Sequence, residues 1–426
     1  MGMSFTDVIM IGWLGTTELA ASAATSDFHS LLFYIGAGII SSTSVFIAQA
    51  RGKNQPAEIV PVVQQGMVVA VICSIPASAI IYNASFVLSL VGVDQSIVDH
   101  SAEYAQTLCF AFLPMMLMTV FHHFIAAHDK TRIILIVTIA GLPLNALLNY
   151  FLLFGNYGFP ELKLAGAGIA TSLTAGFMLL CLIAYSRLQP GLKTYRIFSD
   201  FRFFQPRIFK DILKVGTPIG ISNIGEMGVF LTSTIIIGVF GAETLAAHTI
   251  ALRLAGLFYA FPLGLSQAAT IRCGYLIGEK NLNQLKTSIK VSIVMALLIG
   301  FLFLLIIWFF NKDIATLFLP VNENTQSLLL TAAGFLLVLG IIQPFDGLAT
   351  VVAGILRGMK DTRIPMMLSI GSYWLIGFSS GMLLAFYFGY DGIGIWSGLA
   401  IGATIFGITT TSRLTILWRE NFHRHL

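Results

Sequence analysis

Apolar runs of about 20 residues recur from one end of this 426-residue chain to the other. Each is long enough to cross ~30 Å of hydrocarbon as a helix. Charged residues make up only 10% of the chain and the mean hydropathy is +0.85, whereas a soluble domain carries roughly 25% charge. Inside a bilayer the backbone must satisfy its own hydrogen bonds, and no alternating strand pattern is present, so helices are the expected solution. The chain is therefore expected to be an all-α polytopic membrane protein. It opens directly inside an apolar segment, without a cleavable-signal pattern. Its four cysteines, Cys73, Cys109, Cys181 and Cys273, all fall in apolar runs, which favours packing over a disulfide framework.

The runs predict twelve spans: 3–22, 28–50, 59–82, 98–121, 133–155, 164–186, 212–238, 246–271, 288–310, 326–355, 365–388 and 393–417. The longest polar connection, 187–211, divides them into an N-lobe (1–186) and a C-lobe (212–418), followed by a tail (419–426). Its aromatics and prolines suit an ordered strap on the membrane surface. If the even-numbered loops and the tail share one side, that side holds 21 of the 24 basic residues. The other side holds Lys163 and Lys312, and Arg253 lies within span 8. By the positive-inside rule the basic side is cytoplasmic, which places the strap and the C-terminus there. The net charge of +4 is thus explained by topology and implies no nucleic-acid partner; the basic loops meet water or anionic lipid.

The two halves are duplicates. Residues 6–21, TDVIMIGWLGTTELAA, align with 232–247, TSTIIIGVFGAETLAA, with eight of sixteen positions identical, including Gly12/Gly238 and Gly15/Gly241. Gly166-Ala167-Gly168-Ile169 meets Gly392-Ile393-Gly394-Ile395 at the same offset. Six spans per repeat is an even number, so both lobes enter the membrane in the same sense. Such parallel repeats place a substrate cavity between the halves. The second repeat has more residues ahead of Thr232 than the first has ahead of Thr6, so span 1 is expected to be N-terminally truncated relative to its twin.

Within the assigned spans the candidate acids are Asp7, Glu226 and Asp346. A charge at mid-membrane costs about 2.5–3.5 kcal/mol on insertion scales, and such residues mark function by default. The structural alternative is a helix–helix clamp, or for Asp7 exposure at the interface. Pro344 precedes Asp346, and Pro218 precedes Glu226 within VGTPIGISNIGEMG; each proline frees a carbonyl. Asn145 and Asn149 are four apart on span 5, hence on one face, just after Pro143. Carboxylate, amide and carbonyl oxygens of this kind could bind Na⁺, at Glu226 and Asp346 or at Asp7 and Asn149, or could hold a proton on the acid. The residues do not choose between the two ions. Tyr259, in span 8 after Arg253, is a candidate for meeting a cationic substrate through its ring. The HHFIAAH stretch (His122, His123, His128) stands alone, where a membrane metalloenzyme would need several such boxes on one face. No Gly-Lys phosphate loop is present, so no ATP and no cofactor other than the coupling ion is expected.

The stretches TDVIMIGWLG, GLPLNALLNYFLLFG, TPIGISNIGEMGVF and above all QPFDGLATVVAGILRGMKDTRIP resemble the multidrug and toxic compound extrusion (MATE) family, NorM-like branch. The resemblance covers nearly the whole chain. It implies twelve helices in two pseudo-symmetric six-helix lobes around a V-shaped cleft. It implies a secondary transporter rather than an enzyme: a monomeric antiporter of the inner (plasma) membrane that exports amphipathic organic cations against Na⁺ or H⁺. By the same likeness Asp7, Asn145 and Asn149 form an N-lobe ion site, and Glu226 and Asp346 a C-lobe site. NorM proteins can carry a tyrosine one turn before the tenth-helix acid, where this chain has Ile342. A flippase for lipid-linked sugars is the same-fold alternative and would need a cationic cavity, for which Arg253 is the one central basic candidate. A membrane-embedded enzyme is the alternative from another class.

Overall fold

The computed structural model of the chain describes residues 2–421, apart from 91, 93, 200, 202 and 319–325. The last residues of the expected tail, 422–426, thus lie outside the described region. Among the described residues there are helices and no strands, and 11 of the helical segments are long and apolar enough to cross a membrane. A shorter helix, α1 (Gly2–Gly12), precedes them. Its 11 residues rise about 16 Å at 1.5 Å each, roughly half the hydrocarbon thickness.

Two compact units divide the chain, Met1–Gly220 and Ile221–Leu426. The first contains α1, α2 (Thr16–Gly52), α3 (Ile59–Tyr82), the short α4 (Ala84–Leu90), α5 (Gln95–Leu108), α6 (Phe112–Ala126), α7 (Thr131–Phe154), α8 (Lys163–Leu188) and the single-turn α9 (Pro190–Lys193). The unit boundary falls inside α10 (Pro206–Gly238). The early part of α10 packs on α2: Gly216 lies against the Ile39 backbone, and Ser42 Oγ donates to the Ile212 carbonyl at 3.1 Å. The second unit continues with α11 (Ala242–Glu279), α12 (Leu282–Thr316), α13 (Gln326–Gly358), α14 (Arg363–Ile370), α15 (Ser379–Met382) and α16 (Asp391–Asn421). Residues 371–378 and 383–387, on either side of α15, are wound as π-helix, so Arg363–Tyr387 makes one widened span.

One expected boundary is wrong. The predicted break between spans 1 and 2 at 23–27 lies inside a continuous helix; the chain turns instead at Trp13–Gly15. The repeat motif therefore marks a turn rather than mid-span. Its second copy turns at the equivalent place, where Gly241 holds φ +104°, a conformation that a Cβ would strain. Hydropathy runs straight through the turn because its residues, Trp13 and Leu14, are apolar. A consequence is that Asp27, outside the expected spans, sits within α2 and is exposed.

Small residues let the helices approach closely. In the first unit Gly166 lies against the Leu152 backbone of α7, and Gly168 against Thr107 and Leu108 of α5. In the second, Gly347, Gly354 and Gly358 form one stripe of α13 that faces α11. There Ser266 Oγ donates to the Thr350 carbonyl at 2.7 Å, and Thr270 Oγ1 to the Gly354 carbonyl at 2.8 Å. Small-residue contact with cross-helix hydroxyl bonds is the usual cement where lipid removes the hydrophobic drive between helices.

The described part of the strap is tied to α3. Gln64 Nε2 of α3 donates to the carbonyls of Ile197 (3.0 Å) and Ser199 (3.4 Å). Gln65 Oε1 accepts from Gln205 N at 3.1 Å, and its Nε2 donates to the Phe203 carbonyl at 3.5 Å. The Arg187 guanidinium lies 4.2 Å over the Phe198 ring. Two adjacent buried amides thus satisfy a stretch of backbone that has no helix of its own.

Candidate ion-coupling site

The first unit gathers its polar residues around Asp7, which is only 6% exposed. Asn149 Nδ2 donates to Asp7 Oδ1 at 2.6 Å, and Thr171 Oγ1 donates to Oδ2 at 3.1 Å. Asn149 Nδ2 also lies 3.4 Å from Asn145 Oδ1. Three helices supply the set: α1 the carboxylate, α7 both amides from one face, and α8 the hydroxyl. The interfacial reading of Asp7 does not survive its burial. Asn149 Oδ1 is buried with no hydrogen-bond partner among the described residues, while the Asn145 side chain adds a weaker hydrogen bond to Asp7. One acceptor is thus left beside a carboxylate, an arrangement that is costly unless something completes it. Tyr104, itself 2% exposed, lies within electrostatic reach of Asp7, and its hydroxyl is 3.3 Å from Ser26 Oγ.

In the second unit Glu226 and Asp346 are half-buried, and each is served by the widened span. Ser369 Oγ donates to Glu226 Oε1 at 2.9 Å, with Ser222 Oγ at 3.3 Å from the same oxygen. Tyr373 OH donates to Asp346 Oδ1 at 2.7 Å. Trp374 Nε1 donates to the Gly225 carbonyl, beside Glu226, at 2.8 Å. Gly300 of α12 passes Pro344 so closely that a Cβ there would lie 2.5 Å from Pro344 Cα. The glycine therefore permits close packing beside the acid.

Tyr259 is half-buried and its hydroxyl meets the Thr350 side chain; it lies within electrostatic reach of Glu226, Asp346 and Arg357. Arg253 is exposed on α11 and belongs to neither cluster. The sequence reading missed Thr171, Ser369, Tyr373, Trp374 and Arg357. Arg357, assigned to a loop, ends α13 and faces Glu226 and Tyr259 electrostatically. The only sequence signal for Tyr373 and Trp374 is their polar-aromatic pairing inside an apolar run. The Ile342 departure is partly explained, since Asp346 has its tyrosine from the following span. The histidines form no single site: the His122 and His123 rings stack on each other at 5.7 Å, while the His128 ring packs edge-on against Tyr195 of the strap at 4.8 Å. Among the described residues no three His, Cys, Asp or Glu side chains are grouped to hold a metal.

Two repeated helical units, each with carboxylates inside the membrane-spanning layer and hydroxyl or amide donors aimed at them, define a polytopic membrane protein of duplicated six-span design. The chain belongs to the MATE family: the MatE profile matches residues 1–151 and 218–383. It is 33% identical over 423 residues to the probable multidrug resistance protein NorM of Agrobacterium fabrum, covering 98% of this chain and 90% of that one. The corresponding protein of Rhizobium meliloti is 32% identical, covering 98% and 89%. Among solved structures, the eukaryotic MATE transporter AtDTX14 superposes with TM-score 0.86 at 20% identity, over 97% of this chain and 91% of that one. A MOP superfamily transporter from Pyrococcus furiosus superposes with TM-score 0.87 at 22% identity, over 98% and 92%. These likenesses establish the twelve-helix, two-lobe fold.

Proposed function

We propose that the chain is a cation-coupled multidrug antiporter of the plasma membrane, with its lysine- and arginine-rich side in the cytoplasm. It would export amphipathic organic cations, in keeping with the names of its relatives, in exchange for Na⁺ or H⁺. The observation that carries the reading is the cluster around Asp7. A buried carboxylate with two directed donors, beside an Asn149 amide oxygen without a protein partner, supports a cation site over a clamp. Glu226 and Asp346 would form a second site in the other unit, and Tyr259 would line the drug path. A ligand shifts an equilibrium between two states only by its differential affinity for them. Cation and drug would therefore favour opposite arrangements, and each would drive the other out.

Drug efflux from proteoliposomes under separate Na⁺ and pH gradients tests this. Wild type should expel ethidium under at least one gradient, and Asp7→Asn or Asp346→Asn should lose that drive while remaining folded. Full-rate pumping by both variants would overturn the assignment. The flippase reading ranks second, because Arg253 is exposed and Arg357 lies within electrostatic reach of Glu226.

A further inference from the structure

The hairpin of α11 and α12 carries a groove that the transport reading does not use. Its volume is about 600 Å³, within the ~300–1,000 Å³ usual for small-molecule sites. Its lining is graded along the membrane normal. At the hairpin end it presents Arg272, Asn283, Gln284 and Thr287, and further in Leu265 and Val291. From Asn283 to Val291 the α12 helix rises about 12 Å, enough to pass from headgroup level into the acyl region. The Arg272 guanidinium is exposed and is oriented by one bond, Nη2 donating to Gln284 Oε1 at 3.2 Å. Its remaining N–H groups are available. Lys286 and Lys290, both exposed, form the helical row beside Asn283–Thr287–Val291. Glu279 is the one acid in the hairpin between Arg272 and Lys290, against four bases with Lys280.

We propose that this groove binds an anionic phospholipid. Arg272 holds the phosphate, with Lys290 reaching up to it from the row beside the groove; the Asn283 amide and Thr287 hydroxyl hold the headgroup, and an acyl chain lies over Leu265 and Val291. Bidentate donors suit phosphate, and a basic cluster at the end of a membrane span draws anionic lipid. A free phosphate would fill only the polar half. The apolar half, where Val291 is 51% exposed, requires a lipid tail.

The test is native mass spectrometry and thermal unfolding of the whole protein in detergent with added phosphatidylglycerol, phosphatidylcholine or inorganic phosphate. Wild type should retain one tightly held phosphatidylglycerol. The R272Q/K290Q variant should bind it roughly 30-fold more weakly, at about 1 kcal/mol per charge. The control K193Q/R196Q, which removes two charges from the strap, should retain it. Val291→Trp, which keeps every charge and fills the apolar half, should also lose the lipid; it decides the matter if the charge variant does not fold. The proposal is overturned if phosphatidylglycerol stays bound in R272Q/K290Q or in Val291→Trp. It is equally overturned if phosphatidylcholine binds as tightly, or if inorganic phosphate alone raises the unfolding temperature as much as phosphatidylglycerol does.

Discussion

Tyr373 donates its hydroxyl to Asp346 Oδ1 at 2.7 Å, across 27 residues and from a stretch wound as π-helix. A π-turn shifts the register of the side chains that follow it, and such turns concentrate at functional positions. Here the widened segment starts between Ser369, which reaches Glu226, and Tyr373, which reaches Asp346. One span thereby serves both acids.

Removing that hydroxyl tests the link. Tyr373→Phe leaves Asp346 one donor short, and a hydrogen bond to a charged group contributes about 1.5–3 kcal/mol. Ion-driven efflux should fall by roughly tenfold or more. In a double-mutant cycle with Asp346→Ala the two losses should not add, because each variant removes the same bond. Additive losses in transport rate would show that the two residues act separately.

The Asp7 cluster predicts an asymmetry between its two amides. Asn149→Leu removes the 2.6 Å donor to Asp7 and strands a buried carboxylate oxygen, at about 1–3 kcal/mol. Asn145→Leu removes the longer 3.4 Å contact to Asn149. The drop in detergent unfolding temperature should therefore be larger for Asn149→Leu. Equal drops would place the weight of the cluster elsewhere.

Helix approach is tested at two glycines of α8. A Cβ at Gly166 would collide with the Leu152 carbonyl of α7, which cannot swing aside, whereas Gly176 has nothing within 4 Å. Gly166→Val should cost at least the ~1–3 kcal/mol of an overpacked core, visible as a lost monodisperse peak in size-exclusion chromatography. Gly176→Val should elute like wild type.

His128 predicts a pH-sensitive strap. Burial holds its imidazole below the usual histidine value, and the Arg51 guanidinium pushes the same way; the Phe124 carbonyl and Asp129 oppose them. Since the folded value is depressed, the unfolded or released form takes up the proton first. Stability is therefore full above about pH 6.5 and declines as the pH falls from there through the folded value. Limited proteolysis within 194–205 should be faster at pH 5.5 than at pH 7.5, and His128→Phe should abolish the difference. A pH effect of the same size in the variant would assign it to another group.

The membrane class, the number of long spans after the first, the duplication and the acids Asp7, Glu226 and Asp346 were all legible in the sequence. Hydropathy, charge bias and repeat offset belong to each segment by itself and need no partner. The turn at Trp13–Gly15 is invisible to hydropathy because an apolar turn reads like a helix; only the glycine shared with position 241 marks it. Tertiary structure alone decided what each acid touches. Asp7 meets Thr171 across 164 residues, and Glu226 meets Ser369 across 143. Serines and threonines are spread through all the spans, and most bond back to their own helix, as Thr174 does to Ala170. Which few of them turn toward a carboxylate depends on how closely the helices pack and on where a π-turn shifts their faces, and neither is a property of any single segment.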